Sequence, residues 1–286
     1  MKKFMTGLGL AAATALLVAC GGGGSGGATT TATTTTSAAM VSGKFVDATT
    51  GGLGYKCGSS TTLSGTTDAG GVYTCPAGEA VTFSVGGIVI GSVSSPQAVV
   101  TPLDLVGVGA SPTNPQVIKI VRFLMSVSSS DPATGKITID PAVATAAAAK
   151  SMDFAKGSDA DLDALITAVK PGAKLFTGAE ATAHLRSSVG GLFAGTYKGT
   201  FDGAMKGTFT LAISTSGVIT SGSYTDSDGD TGSVTGVVST TIGTGGTFAY
   251  TGNADAAVWV GTLNVQTGKL SGTWTLSGTG SGTFSN

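Results

Sequence analysis

Gly195-Thr196-Tyr197-Lys198-Gly199-Thr200-Phe201 runs through Asp202-Gly203-Ala204-Met205-Lys206 into Gly207-Thr208-Phe209, and the same Gly-Thr-aromatic step returns at Gly246-Thr247-Phe248, Gly272-Thr273-Trp274 and Gly282-Thr283-Phe284. Side chains along this stretch alternate in kind, the two-residue period of strands with one buried face. Turn signals at Ser216-Gly217, Asp228-Gly229, Gly245-Gly246 and Thr267-Gly268 cut it into roughly eight strands at hairpin spacing. The expectation is an all-β domain over residues 190–286, an up-and-down meander closed as a barrel or flattened as a sandwich.

Residues 41–189 read differently. Short strands, VSGKFV, LGYKC, VYTC, AVTFSV and IVIGSV, are separated by Gly, Ser and Asp clusters. In Thr67-Asp68-Ala69-Gly70-Gly71-Val72-Tyr73, Asp68 can accept backbone N–H groups across a tight turn, and Gly70 or Gly71 can take a positive φ. Helices are signalled by Asn114-Pro115 ahead of an apolar stripe, by Pro141 to about Phe154, by Ser158 with Asp161, and by Thr177 with Glu180. Their apolar faces need a partner, and the preceding strands are the nearest, so residues 41–189 read as one α+β domain, a small β-sandwich plus a helical cluster.

The N-terminus carries a cationic start, Lys2-Lys3, an apolar run, and Leu17-Val18-Ala19-Cys20. This is an export signal over residues 1–19, too short to span a bilayer as a helix. The quartet Leu17-Val18-Ala19-Cys20 resembles the lipobox of bacterial lipoproteins, which implies a diacylated Cys20 as the membrane anchor, and Gly21 in place of the Asp that commonly retains lipoproteins at the inner membrane favours the outer membrane. Which face of that membrane the protein occupies stays open. Residues 20–40 follow as a Gly/Ser then Thr/Ala tract with no charge and no periodicity, a tether.

With Cys20 assigned to lipid, Cys57 and Cys75 remain, an even pair in a chain routed to an oxidising compartment, and a disulfide between them is expected over a two-ligand metal site. Charged residues make up only 11% of the chain against an ordinary 25% or so, so the outward positions of the strands fall to Thr and Ser. A net charge of −1 with no basic patch gives nothing with which to neutralise phosphates, and nucleic acid is excluded as a partner.

The turn Thr67-Asp68-x-x-Gly71-x-Tyr73 resembles that of transthyretin-like, carboxypeptidase-regulatory-like β-sandwich modules. A longer similarity, over GYKC, TDAGGVYTCPAGEAVTFSVGG, VTPLDLVG, RFL, GKITID and AHL, links residues 41–189 to a recurring module of Gram-negative envelope lipoproteins whose biochemical role is largely undefined. In that family an Asp-rich turn commonly precedes the GKITI-like strand; here Ser128-Ser129-Ser130-Asp131 stands in its place, so a cation held there by relatives is not carried over. The Gly-Thr-Trp rhythm of the C-terminal domain is similar to that of avidin-type barrels in architecture alone.

His184 is the chain's one histidine, and it reads as a packing or capping residue, not a catalyst. No GxSxG elbow, HExxH pair or phosphate-binding loop is present, and the carboxylates sit in turn or cap contexts, Asp159, Asp161 and Asp163 at a helix start among them. Asp226-Ser227-Asp228-Gly229-Asp230 has a calcium-loop flavour but lacks the glycine and the bidentate acid of an EF-hand, so a hairpin turn is expected. Lys44, with Glu79 as a conceivable assisting acid, invites an isopeptide bond, but no acceptor is identifiable. No catalytic residue, metal or cofactor is therefore assigned. The function expected is a non-enzymatic outer-membrane lipoprotein acting in adhesion or envelope interaction, with a protein or glycan partner. The alternative is a small-ligand carrier whose barrel aromatics Tyr197, Phe209, Tyr224, Trp259 and Trp274 line a pocket.

Overall fold

The computed structural model describes residues 38–59, 63–130 and 136–286. Cys20, the export signal and nearly all of the tether lie outside the described residues. The fold is mixed α+β, with sheets and helices followed by a closed barrel.

The first sheet orders β1 (Met40–Phe45) between β5 (Val72–Pro76), antiparallel, and β8 (Val99–Val100), parallel. The second orders β4 (Ser64–Thr66), β3 (Gly54–Cys57), β6 (Val81–Val85) and β7 (Ile88–Val93). They share one core, in which Phe83 meets Phe45 at 5.0 Å and Tyr73 at 5.2 Å between ring centroids. The disulfide Cys57–Cys75 ties β3 to β5, and so one sheet to the other. The turn before β5 forms as its residues require: Asp68 Oδ1 accepts from the Gly70 and Val72 amides at 2.7 and 2.8 Å, and Gly71 takes φ +74°. A small third sheet joins β2 (Thr50–Gly51), β10 (Ile137–Thr138) and β9 (Ser129–Ser130).

The helices are α1 (Pro102–Val106), α2 (Pro115–Val127), α3 (Pro141–Ala146), α4 (Asp159–Val169) and α5 (Gly178–Phe193). Asn114 caps α2, and Ser158 and Thr177 form capping boxes with Asp161 and Glu180, as the sequence signals. Two features differ from expectation. The helix begun at Pro141 stops at Ala146 instead of reaching Phe154, because the chain turns there against the β6–β7 hairpin, where Gly87 donates to Ala147 O at 3.1 Å. Asp159 and Asp163 serve more than the helix dipole: both reach the buried Arg122 of α2, at 2.9 and 2.7 Å.

Eight antiparallel strands make the barrel, each paired with its sequence neighbour: β11 (Gly195–Gly203), β12 (Gly207–Ile213), β13 (Ile219–Asp226), β14 (Thr231–Ile242), β15 (Thr247–Ala254), β16 (Ala257–Asn264), β17 (Lys269–Leu276) and β18 (Gly280–Ser285), with β18 closing on β11. The Gly-Thr-aromatic rhythm now has a physical reason. Thr faces out, the aromatic faces in, and the inward glycine leaves room for a neighbour's ring. A Cβ at Gly207 would stand 2.5 Å from Phe201, and one at Gly272 2.9 Å from Phe284. Alternating small and large inward residues let a small barrel fill its own interior.

The two ends differ. At one, α5 packs on the barrel: Phe193 meets Phe248 edge-on at 4.8 Å, and Gly109 and Ala110 exchange backbone bonds with Ile242. The Gln266 side chain there pairs with Val99 of β8, accepting from its amide at 2.9 Å and donating to its carbonyl at 2.8 Å. The hairpins at the opposite end, β11–β12, β13–β14, β15–β16 and β17–β18, meet none of the helices in this way.

Candidate binding site

Strand register decides where each barrel aromatic sits. Trp259 and Trp274 are directly opposed on β16 and β17, and Phe201 of β11 touches both, at 5.6 and 6.2 Å between ring centroids. Tyr224 of β13 stands 6.1 Å from Phe201. These four rings, with Met205 and Asp255, surround a cavity of about 60 Å³ at the barrel end away from the helices. Below it the interior is filled: Phe209 meets Trp259 and Phe284, and Tyr250 meets Phe284.

The five aromatics expected to line a pocket therefore separate. Tyr224, Trp259 and Trp274 wall the mouth. Phe209 lies one layer deeper, in the packed core. Tyr197 sits at the other end, its hydroxyl donating to Phe193 O at 3.0 Å. Phe201 and Asp255 belong to the site and were not singled out from the sequence; the signal for Phe201 was its place in the same Gly-Thr-aromatic rhythm.

The rim is acidic. Asp202, Asp226, Asp228, Asp230 and Asp255 lie on its hairpins, against Lys206, which pairs with Asp202 at 3.3 Å. Asp226 Oδ1 accepts from the Asp228 and Asp230 amides at 3.0 and 2.9 Å, so this stretch forms the expected hairpin turn. Among the described residues no group of three metal-ligating side chains converges. Asp255 accepts the Tyr224 hydroxyl at 2.5 Å, and that hydrogen bond, reinforced by burial and by the Asp255, Asp226 and Asp230 charges, pushes the phenol up to about 12. Asp255 is also at φ +52°, a left-handed conformation that Asp tolerates better than most residues. Trp274 Nε1–H donates to Asp202 O at 3.3 Å, whereas Trp259 Nε1–H is buried with no acceptor.

His184 occupies a second place of interest. It lies in the middle of α5, where its Nε2 comes within 3.0 Å of Asp47 Oδ1, and Asp47 is wholly buried. Neither Asp47 oxygen receives an aligned hydrogen bond, so the attraction is that of opposite charges at contact distance. Burial pulls the imidazole pKa down, but the Asp47 contact outweighs it and holds His184 above its usual value. The two residues after Asp47, Ala48 and Thr49, have φ +53° and +51°. Lys44 and His184 share the wall of an adjoining surface cleft of about 580 Å³, and the cleft includes no group besides them from the isopeptide and acid–base sets weighed above.

Compared with known protein families, curated proteins and solved structures, the chain matches none.

Proposed function

We propose that this chain is a non-enzymatic, lipid-anchored protein of the Gram-negative outer membrane, kin to the envelope lipoproteins its residues 41–189 resemble, and that it engages its partner through the open mouth of its C-terminal barrel. The observation that carries this is the asymmetry of the barrel. One end is occupied by α5 and the loops packed against it, and the other holds an aromatic cavity with the Asp255 carboxylate in its wall. The Leu17-Val18-Ala19-Cys20 sequence and the uncharged Gly/Thr tether support an anchored domain standing clear of its membrane. With the barrel interior filled by its own rings, the ligand-carrier alternative narrows to the mouth. A cavity of about 60 Å³ takes the end group of a partner and not a whole metabolite.

Site-specific photocrosslinking in intact cells tests the binding end. A benzoylphenylalanine at Ala256, on the mouth hairpin, is expected to capture a partner that the same probe at Thr262, on the barrel wall, does not. Equal capture from both positions, or capture from Thr262 alone, would remove the mouth from the proposal. Fractionation of a Cys20→Ala variant tests the anchor: release from the membrane fraction is expected, and retention would refute it.

A further inference from the structure

The walls of the mouth cavity are chemically narrow. Phe201 meets Tyr224, Trp259 and Trp274 edge to face, at 82°, 72° and 86°, and all four rings line the space. An aromatic face carries the negative lobe of a quadrupole, and a cation within about 6 Å of a ring centroid is attracted to it, more strongly when desolvated. Beside these rings stands the Asp255 carboxylate, with four more on the surrounding hairpins. A small anion is repelled from such a place, and a bare ammonium loses its hydration on entering. A methylated ammonium group keeps its charge under an apolar skin and is only weakly hydrated, which matches aromatic walls and an acidic rim together. The volume, about 60 Å³, is roughly that of two waters, enough for the leading methyls of such a group with the remainder at the open rim. Trp259, which lines the cavity, also carries a buried indole N–H without an acceptor.

We propose that the barrel mouth recognises methylated ammonium groups of the choline type, the methyls packed against Phe201, Tyr224, Trp259 and Trp274 and the charge balanced by Asp255. This deepens the proposed function and rests on the mouth being the binding end. The group can arrive on a free solute or on a lipid headgroup, the chemistry being shared.

The chain has two tryptophans, and both wall the cavity, so its indole emission reports on this site. The full chain in a sugar-based detergent is titrated with choline, with the neutral isostere 3,3-dimethylbutan-1-ol, and with a short-chain diacylphosphocholine below its micelle concentration. A saturable emission change is expected with choline or with the phosphocholine lipid, at least tenfold tighter than with the isostere. Response to the lipid alone identifies a headgroup site, and response to both identifies a site open to free solutes. Asp255→Asn is expected to weaken binding about fivefold or more, and Tyr224→Leu to abolish it with the melting transition preserved. No emission change with either ammonium compound, or equal affinity for the isostere, overturns the proposal. Partner capture from Ala256 in cells would then still uphold the mouth as the binding end, so the two failures are distinguishable.

Discussion

Replacing His184 with Leu should leave a buried carboxylate without its counter-charge. Asp47 is wholly shielded from solvent, its oxygens receive no aligned hydrogen bond, and the closest positive group is the imidazole at 3.0 Å. Breaking a buried ion pair from one side typically costs about 3–5 kcal/mol. The His184 side chain is 21% exposed, which places the expected loss near the low end, about 3 kcal/mol. For a folded unit of this size each kcal/mol moves the melting temperature by roughly 2–4 °C, so a drop of about 6–12 °C is expected. The pH dependence follows from the direction of the shift. The folded imidazole titrates above its unfolded value of about 6.5, so the stabilisation is full below that value and is lost as pH rises through the folded pKa. The gap in melting temperature between wild type and His184→Leu should therefore be widest in mild acid and close in alkali, and Asp47→Asn should remove the pH dependence. Because the chain holds a single histidine, its Hε1 resonance gives the folded pKa directly by NMR titration. A midpoint at or below about 6.5, or a gap that does not change with pH, would refute the reasoning.

Other perturbations have equally definite signs. Joint Cys57→Ala and Cys75→Ala substitution removes a bond across a separation of 18 residues and should cost about 3 kcal/mol, read in the denaturant midpoint and matched by wild type under reductant. Gly190→Ala and Gly191→Ala, adjacent in α5, should move in opposite directions. Alanine favours a helix by up to about 1 kcal/mol over glycine. At Gly191 the added methyl meets open space, whereas at Gly190 it would stand 1.5 Å from Thr215 O and force α5 off the barrel. Thermal melts of the pair decide it, and two stabilised variants would show that the helix–barrel seam yields freely. Gln266→Ala should cost about 1–3 kcal/mol, since it strips the Val99 amide and carbonyl of their partners, and amide exchange at Val99 should accelerate while the β16–β17 ladder stays protected.

Where structure depends on neighbours in sequence, the residues announced it. The capping pairs Ser158/Asp161 and Thr177/Glu180, the Asp68 turn and the four glycine turns of the barrel all form, because each is settled within a few residues by side chain to backbone bonds or by a positive φ. The eight-strand meander follows from the same local facts repeated, whereas barrel or sandwich stayed open in the sequence until β18 was seen to pair with β11. The overlong helix at Pro141 failed for a non-local reason. Its alanine run has ample helical propensity, but the β6–β7 hairpin occupies the path and takes the Ala147 carbonyl. Arg122 escaped notice likewise, as one more polar residue in an apolar stripe until Asp159 and Asp163 arrive from α4.

The sites were harder to read than the fold, because alternation tells which barrel side chains point inward but not at what depth. Tyr197, Phe209, Tyr224, Trp259 and Trp274 all have inward parity, and it takes register together with strand tilt to send them to the far end, the core and the mouth: Phe209 and Tyr224 are paired across β12 and β13 and still lie at different depths. The pairing of His184 with Asp47 joins residues on β1's end and on α5, and nothing local in either announces the other. One physical mark does set both places apart. Among the described residues the non-glycine positions at positive φ are Ala48, Thr49 and Asp255. Such a backbone costs about 1–3 kcal/mol and persists only where its surroundings over-determine it. Ala48 and Thr49 follow the buried Asp47, and Asp255 holds the phenol of the mouth. A glycine would relieve the strain at each, so Asp255→Gly, which deletes the carboxylate while easing the turn, should stabilise the hairpin and weaken choline-type binding together. Loss of both would show that Asp255 is there for the fold and not for the ligand.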